Sequence, residues 1–437
     1  MKAERVKGTR MRSLLRAKRS LLLLAGVVLC GAKLAAAQAP VDDVNRDAKI
    51  RADMAAFNPR YRELMKPRRT LLNELTDEVT KREAAGEKIT CSHQIAIETR
   101  WLMGYTADFP GIDKHLAALK DSLAHPEREA IAEQEDPHDG SWGGCYTEWF
   151  ERLDVSYDFL QMEEGRGIAP KYRFSLLDRV NSPEKLKAYF ASITTSDIAH
   201  TGVDHRKELN GAFVDLIRLI MNDDPKGYAW DPRMKKTLLD LTLHQYRNQK
   251  TGWWGESYLR NGRVEYVDDL SMTFHIVMAL NNDVPLKREM ATTLFAVKDL
   301  PYPVGWYENG VQNNHNNMDV VVVMHAAWDA MSDGQRRVAR AQIGSMLHWC
   351  LTESLQPDGS FSSSPGGDDS IEEGEHFGVN FLARIGYFNK ARRFWTDEDF
   401  PEAEANRRRI LAFIKAHQNT GAAGGAYYAS ALEEMNR

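Results

Sequence analysis

The sequence predicts an all-α protein, arranged as a closed ring of helical hairpins, which is an α/α toroid. Three observations predict it: apolar residues recur with helical spacing, strand patterns are scarce, and a glycine-aromatic turn returns at intervals. The chain has 437 residues, of which 43% are hydrophobic, so it is long enough to bury a large core. No Pro-rich or Gly/Ser-rich tract divides it.

The first 37 residues predict a secretory signal peptide. A basic stretch at 11–20 precedes a short apolar run at 21–29, and Ala35 to Ala37 form a small-residue cleavage site. Residues 1–37 carry nine Lys/Arg and one Glu, so removing their net +8 from the chain's −5 leaves −13. We therefore expect a secreted or periplasmic protein. Such an acidic chain is a poor partner for nucleic acid, and no later segment is apolar enough to span a membrane.

Three cysteines remain after cleavage, namely Cys91, Cys145 and Cys350. Because the count is odd, at most one disulfide can form within the chain. Their spacing is not that of a zinc knuckle. A hydrophobic core, rather than a disulfide scaffold, must therefore supply most of the stability.

Residues 38–88 predict a helical lead-in, and residues 89–437 predict the toroid domain. Six segments of that domain show the helical spacing of apolar residues most clearly. In chain order they lie at 93–105, 209–221, 234–246, 269–280, 338–355 and 378–388.

A short turn motif separates these helices, as "DGSW", "TGWW", "PVGW" and "DGSF" ending at Trp142, Trp254, Trp306 and Phe361. The final aromatics are 112, 52 and 55 residues apart, so the repeat is about 54 residues with one copy missing near residue 198. That length equals two helices and two connections. Glycine permits the tight turn, and the aromatic fills the gap between neighbouring hairpins.

Four polar segments lead into helices that are apolar on most faces, starting near Gly202, Gly262, Gly310 and Gly367. Helices of this kind are central ones, so we expect them to form the inner ring with their N-termini at one end. The polar residues would then converge on one cavity. They are Asp204, His205, Arg206, Glu208, Asp268, Asp269, Asn313, Asn314, His315, Glu372, Glu373, Glu375 and His376.

A structural interpretation of the same residues is helix capping, because Asn and Asp are preferred N-caps. His275 and His325 lie deeper in their helices and are expected to be core histidines. Four clusters at matching positions, however, exceed what capping requires. We therefore predict a functional cavity at that end.

Aromatic side chains in or beside the turns indicate the ligand class. Sugar rings stack on such side chains, while amides and carboxylates bind hydroxyl groups. The sequence thus predicts a carbohydrate-active protein whose partner is a polysaccharide or oligosaccharide. The alternative is that the aromatics only plug the hairpins. The predicted substrate-binding residues are Trp142, Trp253, Trp254, Trp306, Tyr307, His205, Asn313 and Glu375.

The turns resemble those of the toroid superfamily that includes terpene cyclases, prenyltransferases and polysaccharide lyases, over roughly residues 90–420. Within it, "NNH" at 313–315 followed by "AAW" at 326–328 is similar to the motif of toroidal alginate-type lyases. In that family Asn and His neutralise the substrate carboxylate, a Tyr or His removes the proton at C5, and Tyr protonates the leaving oxygen. The resemblance implies that Asn314 and His315 are the neutralising residues, without a cofactor.

The chain departs from that family where an Arg and a catalytic Tyr are usual, because it has Glu375, His376 and Phe377 there. Arg206 is the candidate replacement for the arginine. The candidates for the base are His376, Tyr258, Tyr266 and Tyr307.

Three other hypotheses stay open. Glycoside hydrolysis needs two carboxylates across the scissile bond, for which Asp269 with Glu373 or Glu375 are the candidates. A zinc or calcium site would use His205, His315 and His376, which lack a local ligand spacing. A non-catalytic glycan-binding toroid would keep the aromatics and tolerate loss of His315.

Overall fold

The computed structural model describes residues 60–165, 167–221, 228–307, 311–362, 371–417, 428 and 430–435, without the side chains of residues 165 and 371–373. The predicted signal peptide therefore lies outside the described residues. All described residues belong to one unit, Val44–Arg437. With 65% helix and 6% strand, the protein confirms the all-α prediction.

Five of the helices begin directly after a capping side chain. Asp108, Ser182, Asp269, Asn313 and Ser332 each precede a helix and accept a hydrogen bond from a backbone N–H of its first turn. The helices are α1 (Tyr61–Ala84), α2 (Thr90–Tyr105), α3 (Phe109–Ala124), α4 (Trp149–Gly165), α5 (Pro183–Ile193), α6 (Arg206–Met221), α7 (Met234–Asp240), α8 (Leu270–Ala279), α9 (Lys287–Ala296), α10 (Asn314–Ala327), α11 (Asp333–Trp349), α12 (Ile371–Arg384) and α13 (Ala403–His417).

Helices α4, α6, α8, α10 and α12 form a continuous row, in which each contacts the next. Helices α5 and α7 pack against α6, and α9 and α11 pack against α10. Helix α10 is buried along nearly its whole length, including the run from Val320 to Val323. Helix α10 is therefore central in this region, as its apolar character predicts.

A small sheet interrupts the helical pattern before α8. Strands β2 (Gly255–Arg260) and β3 (Arg263–Asp268) pair antiparallel, and β1 (Thr195–Ser196) adds to β2 in parallel. The two strands meet at Asn261 and Gly262, which both have positive φ. An Asn-Gly pair is a strong hairpin signal, because it suits a turn with positive φ at both positions. The polar segment that starts near Gly262 and leads into α8 is therefore a β-strand rather than a loop.

The first three helices have their own apolar cluster, which α1, α2 and α3 build with Tyr146. A disulfide joins Cys91 at the start of α2 to Cys145 in the turn before α4, and Cys350 is a buried free thiol. Helix α1 falls inside the segment predicted as a lead-in. None of the helices in the described part of the chain combines the length and apolar character of a membrane span.

The disulfide generates a stability prediction. Replacing Cys91 and Cys145 together by serine should lower the free energy of unfolding by about 4 kcal/mol, because the bond closes a loop of 54 residues in the unfolded chain. Urea unfolding monitored by circular dichroism measures this difference. Reduction of the unmodified protein by dithiothreitol is the control and should give a similar loss. Equal stability of the variant and the oxidised protein would contradict the prediction.

Candidate functional site

A buried ion pair joins the N-termini of α6 and α8. The Nε of Arg206 donates to Oδ2 of Asp269 over 2.6 Å, and the two residues are 4% and 0% exposed. The other oxygen of Asp269 accepts from the Met272 N–H and so caps α8. The guanidinium of Arg206 also lies 5.9 Å from the Tyr105 ring centre. Asp269 is therefore both a cap and the counter-charge of a buried cation.

His315, in the first turn of α10, lies among aromatic rings. Its ring centre is 5.2 Å from Trp101, 5.2 Å from Tyr302 and 4.4 Å from Phe377. Only 13% of its side chain is exposed. Burial, followed by repulsion from His275 and His376, lowers the pKa of His315 to about 3. His315 is thus a neutral hydrogen-bonding group at ordinary pH, not a cation.

A buried carboxyl group lies beside this imidazole. Asp319, one helical turn after His315, is 0% exposed. Its Oδ2 accepts from the Tyr302 hydroxyl over 3.0 Å and is 4.0 Å from His315 Nε2. Burial raises the pKa of Asp319 well above its usual range. The three side chains together form a largely uncharged polar cluster in the apolar interior.

Two further histidines, from the neighbouring helices α8 and α12, are close enough to act on His315 electrostatically. His275 contacts the Ser271 carbonyl at 2.8 Å, and burial lowers its pKa to about 3. His376 packs on Phe377 at 5.0 Å, and burial followed by Arg384 lowers its pKa to about 4. Asn313 to His315, Arg206 and Asp269 therefore share one region with His376. His275 belongs to the same region, although it was expected to be a core residue.

Helix α2 completes this region from the N-terminal side. Trp101 and Tyr105 are half-buried with their ring centres 4.9 Å apart in a tilted arrangement, and Tyr105 contacts Tyr302 at 5.4 Å. An ion pair between Glu98 and Lys207 anchors α2 to α6. Sequence reasoning missed Trp101, Tyr105, Tyr302 and Asp319. The spacing of four residues between His315 and Asp319 was a usable signal, because such residues share a helix face.

Other predicted catalytic residues lie elsewhere or have structural partners. Tyr258 is 1% exposed, and its hydroxyl donates to Glu256 at 2.8 Å and lies 3.5 Å from Asp204 Oδ1. Asn314 donates to Ser354 Oγ at 2.8 Å. The side chain of Glu373 lies outside the described residues.

The predicted binding residues also make structural contacts. Glu375 is fully buried, and its Oε1 accepts from the Phe361 N–H at 2.6 Å, which fixes the "DGSF" turn. Burial raises the pKa of Glu375 to about 8. Asn313 caps α10 through the Asn316 N–H. His205 lies 3.4 Å from Glu208, whose hydrogen bond raises the pKa of that histidine.

The predicted sugar-stacking tryptophans are covered by protein. Trp142, Trp253, Trp254 and Trp306 are at most 5% exposed, so none of them presents a ring face to a ligand. The indole of Trp254, for example, donates to the Thr242 carbonyl at 2.6 Å. Their contacts are those of hairpin plugs, the structural alternative. Tyr307 is half-buried.

A second polar cluster lies further along α4 and α6. Asp154 and Asp158 are exposed, whereas Asp215 is fully buried. Arg218 lies 3.9 Å from Asp215. Partial desolvation by the surrounding protein, followed by the charge of Asp154, raises the pKa of Asp158 to about 7. Within the described residues no group of three or more His, Cys, Asp or Glu is arranged to hold a metal ion.

The Arg206–Asp269 pair predicts a large effect of a small substitution. Asp269→Asn keeps an oxygen to cap α8 but leaves Arg206 buried without its counter-charge, so the free energy of unfolding should fall by about 3 kcal/mol. Chemical denaturation measures it. Asp108→Asn is the matched control, because Asp108 caps α3 and forms no ion pair with a Lys or Arg in the described chain. A loss no larger than that of the control would mean that the pair is energetically unimportant.

The low pKa of His315 predicts a pH effect on stability. Below about pH 6.5 the unfolded chain binds a proton at this residue, whereas the folded chain does not until about pH 3. Stability should therefore fall as the pH decreases. Between pH 7 and 5 the unmodified protein should lose about 2 kcal/mol more than His315→Gln. Urea unfolding at both pH values tests this, with His200→Gln, at an 80% exposed position, as the control. Parallel curves for His315→Gln and the unmodified protein would refute it.

Comparison of the chain with protein-family models, with curated proteins and with solved structures gave no match. The chemistry of this site therefore has to be argued from its own residues.

Proposed function

We propose that this protein is a secreted polysaccharide lyase with an α/α-toroid fold, which cleaves a uronic-acid-containing glycan by β-elimination. The observation that carries the proposal is the neutral His315 at the mouth of α10, flanked by Tyr302 and acted on by His376 and His275. Elimination needs a hydrogen-bond donor for the substrate carboxylate, a base for the C5 proton and an acid for the leaving oxygen. Neutral imidazole and phenol groups can serve in all three roles.

The roles follow from the contacts. His315 donates a hydrogen bond to the uronate carboxylate, with the Asn314 amide beside it, which increases the acidity of the C5 proton. His376 is neutral above its pKa of about 4, so it is able to accept that proton. The electrons form the C4–C5 double bond, and the C4–O bond breaks. Tyr302, which lies against His315, donates its hydroxyl proton to the leaving oxygen.

The charge state of the cluster supports an anionic substrate. A chain with a net charge of −13 after loss of residues 1–37 repels a polyuronate over long distances. Burial raises the pKa of Asp319 and so favours its protonated form, and Asp269 is paired with Arg206. The cluster therefore adds no unpaired negative charge where the substrate carboxylate would bind.

The Cys91–Cys145 disulfide supports secretion, because such bonds persist in oxidising compartments.

Glycoside hydrolysis is the second candidate, favoured by the carboxyl groups on α4. A general acid works best with a pKa near the working pH, and that of Asp158 is about 7. Asp154 and Asp158 replace the predicted pair in this hypothesis. Asp269 is bound to Arg206, and Glu375 holds the Phe361 backbone.

The test measures two products at once. The purified chain is incubated with polyuronates and with neutral glycans, and both the ultraviolet absorbance of an unsaturated uronate and new reducing ends are measured. We expect absorbance with a polyuronate and a loss of at least about 100-fold in His315→Ala. His325→Ala is the matched control, because His325 is an exposed residue of the same helix and stacks on Phe394. It should retain full activity.

Each other outcome selects a different function. Reducing ends without absorbance, abolished by Asp158→Asn, would replace elimination by hydrolysis. Glycan binding without either product would indicate a binding protein.

A further inference from the structure

Neither helix capping nor core packing explains why the candidate site contains Asp319. It lies inside α10 rather than at its end, and it is 0% exposed between the buried amides of the first turn and the buried run from Val320 to Val323. Burying a carboxyl group costs free energy unless it is hydrogen-bonded or neutralised. A valine at this position would pack at no such cost. A functional reason for the carboxyl group is therefore needed.

The contacts of Asp319 point to the tyrosine and the histidine. Its Oδ2 accepts from the Tyr302 hydroxyl at 3.0 Å, and the same oxygen lies 4.0 Å from His315 Nε2. Its Oδ1 has no hydrogen-bond partner among the described residues. One carboxyl oxygen thus accepts from the phenol and lies near, although beyond hydrogen-bond distance of, an imidazole that is 13% exposed to solvent.

The charged and titratable groups around Asp319 come from each neighbouring element. Tyr302 precedes α10, His315 lies on α10, Asp269 begins α8, and Arg206 begins α6. His376 on α12 and His275 on α8 act on the neighbouring His315. Burial and Asp269 favour the protonated form of Asp319, and together they outweigh the opposing effects of Tyr302 and Arg206.

We infer that Asp319 is a positioning residue that holds the Tyr302 hydroxyl beside His315 and returns a proton to Tyr302 after each turnover. This inference rests on the proposed elimination. Tyr302 loses its proton to the leaving oxygen and becomes a phenolate. The Asp319 carboxyl group then gives its proton to that phenolate and becomes a carboxylate. His315 passes a solvent proton to Asp319, while His376 releases to solvent the proton taken from C5, so the protons balance.

Asp319→Asn tests the inference, because the amide still accepts from Tyr302 but cannot supply a carboxylic proton. A structural role would survive this change. We expect a folded variant, an unchanged KM and a kcat reduced by about 100-fold or more. Glu256→Gln is the matched control, since Glu256 is a buried carboxylate that accepts from Tyr258 in the same way, outside the site. It should retain kcat. Full kcat in Asp319→Asn would overturn the inference.

Infrared difference spectroscopy makes the test independent of activity. At pH 7 the unmodified protein minus Asp319→Asn should show the carbonyl stretch of a protonated carboxylic acid. Carboxylate bands in its place would overturn the inference, even if no glycan were cleaved. If no glycan is cleaved but the protonated band is present, the proposed elimination fails while the proton-holding role of Asp319 stands.

A second variant covers the case in which Asp319→Asn does not fold. Tyr302→Phe keeps the ring and removes the hydroxyl, so the Asp319 carbonyl stretch should shift to higher frequency as it loses a hydrogen bond. An unshifted band would show that Tyr302 does not donate to Asp319 and would overturn the inference.

Discussion

The ion pair between Arg206 and Asp269 is the interaction on which the candidate site depends. It brings together the first residue of α6 and the residue that caps α8, at a depth where neither charge reaches water. A buried charge without its partner is strongly destabilising, so this pair holds the N-termini of α6 and α8 together. Tyr105 packs near the same guanidinium, which also places α2 against the row of helices.

The second constraint is that the titratable side chains around His315 are uncharged, and it follows from the Arg206–Asp269 pair. Within the described residues, Arg206 and Asp269 pair with each other, and the other titratable groups of the cluster are surrounded by apolar helices and aromatic rings. Burial lowers the pKa values of His275, His315 and His376 and raises that of Asp319. The result is a set of uncharged donors and acceptors. Such a set is suited to proton transfer and to an anionic ligand that brings its own charge.

Two sequence patterns, the polar helix starts and the glycine-aromatic turns, agree with the structure to different extents. At α8 and α10 the capping interpretation holds, because Asp269 and Asn313 cap their helices, and Arg206 and His315 lie buried beside these caps. The glycine-aromatic turns were correctly located, but their tryptophans are buried plugs. A turn motif shows where the chain reverses, and it contains no information about which ring face is covered by a neighbouring hairpin.

The sequence by itself determined the helical class and the polar starts of α8 and α10, because periodicity and N-cap chemistry are local properties. The grouping of Arg206, Asp269, His315 and His376 was predicted from an assumed ring of helices and not from a local pattern. Only the tertiary structure decided that Trp101 and Tyr105 of α2 contact this cluster and that Tyr302 faces Asp319. Those contacts join residues far apart in the chain, and their geometry depends on how whole helices pack. Burial, which sets the protonation of Asp319 and His315, likewise exists only after the helices have assembled.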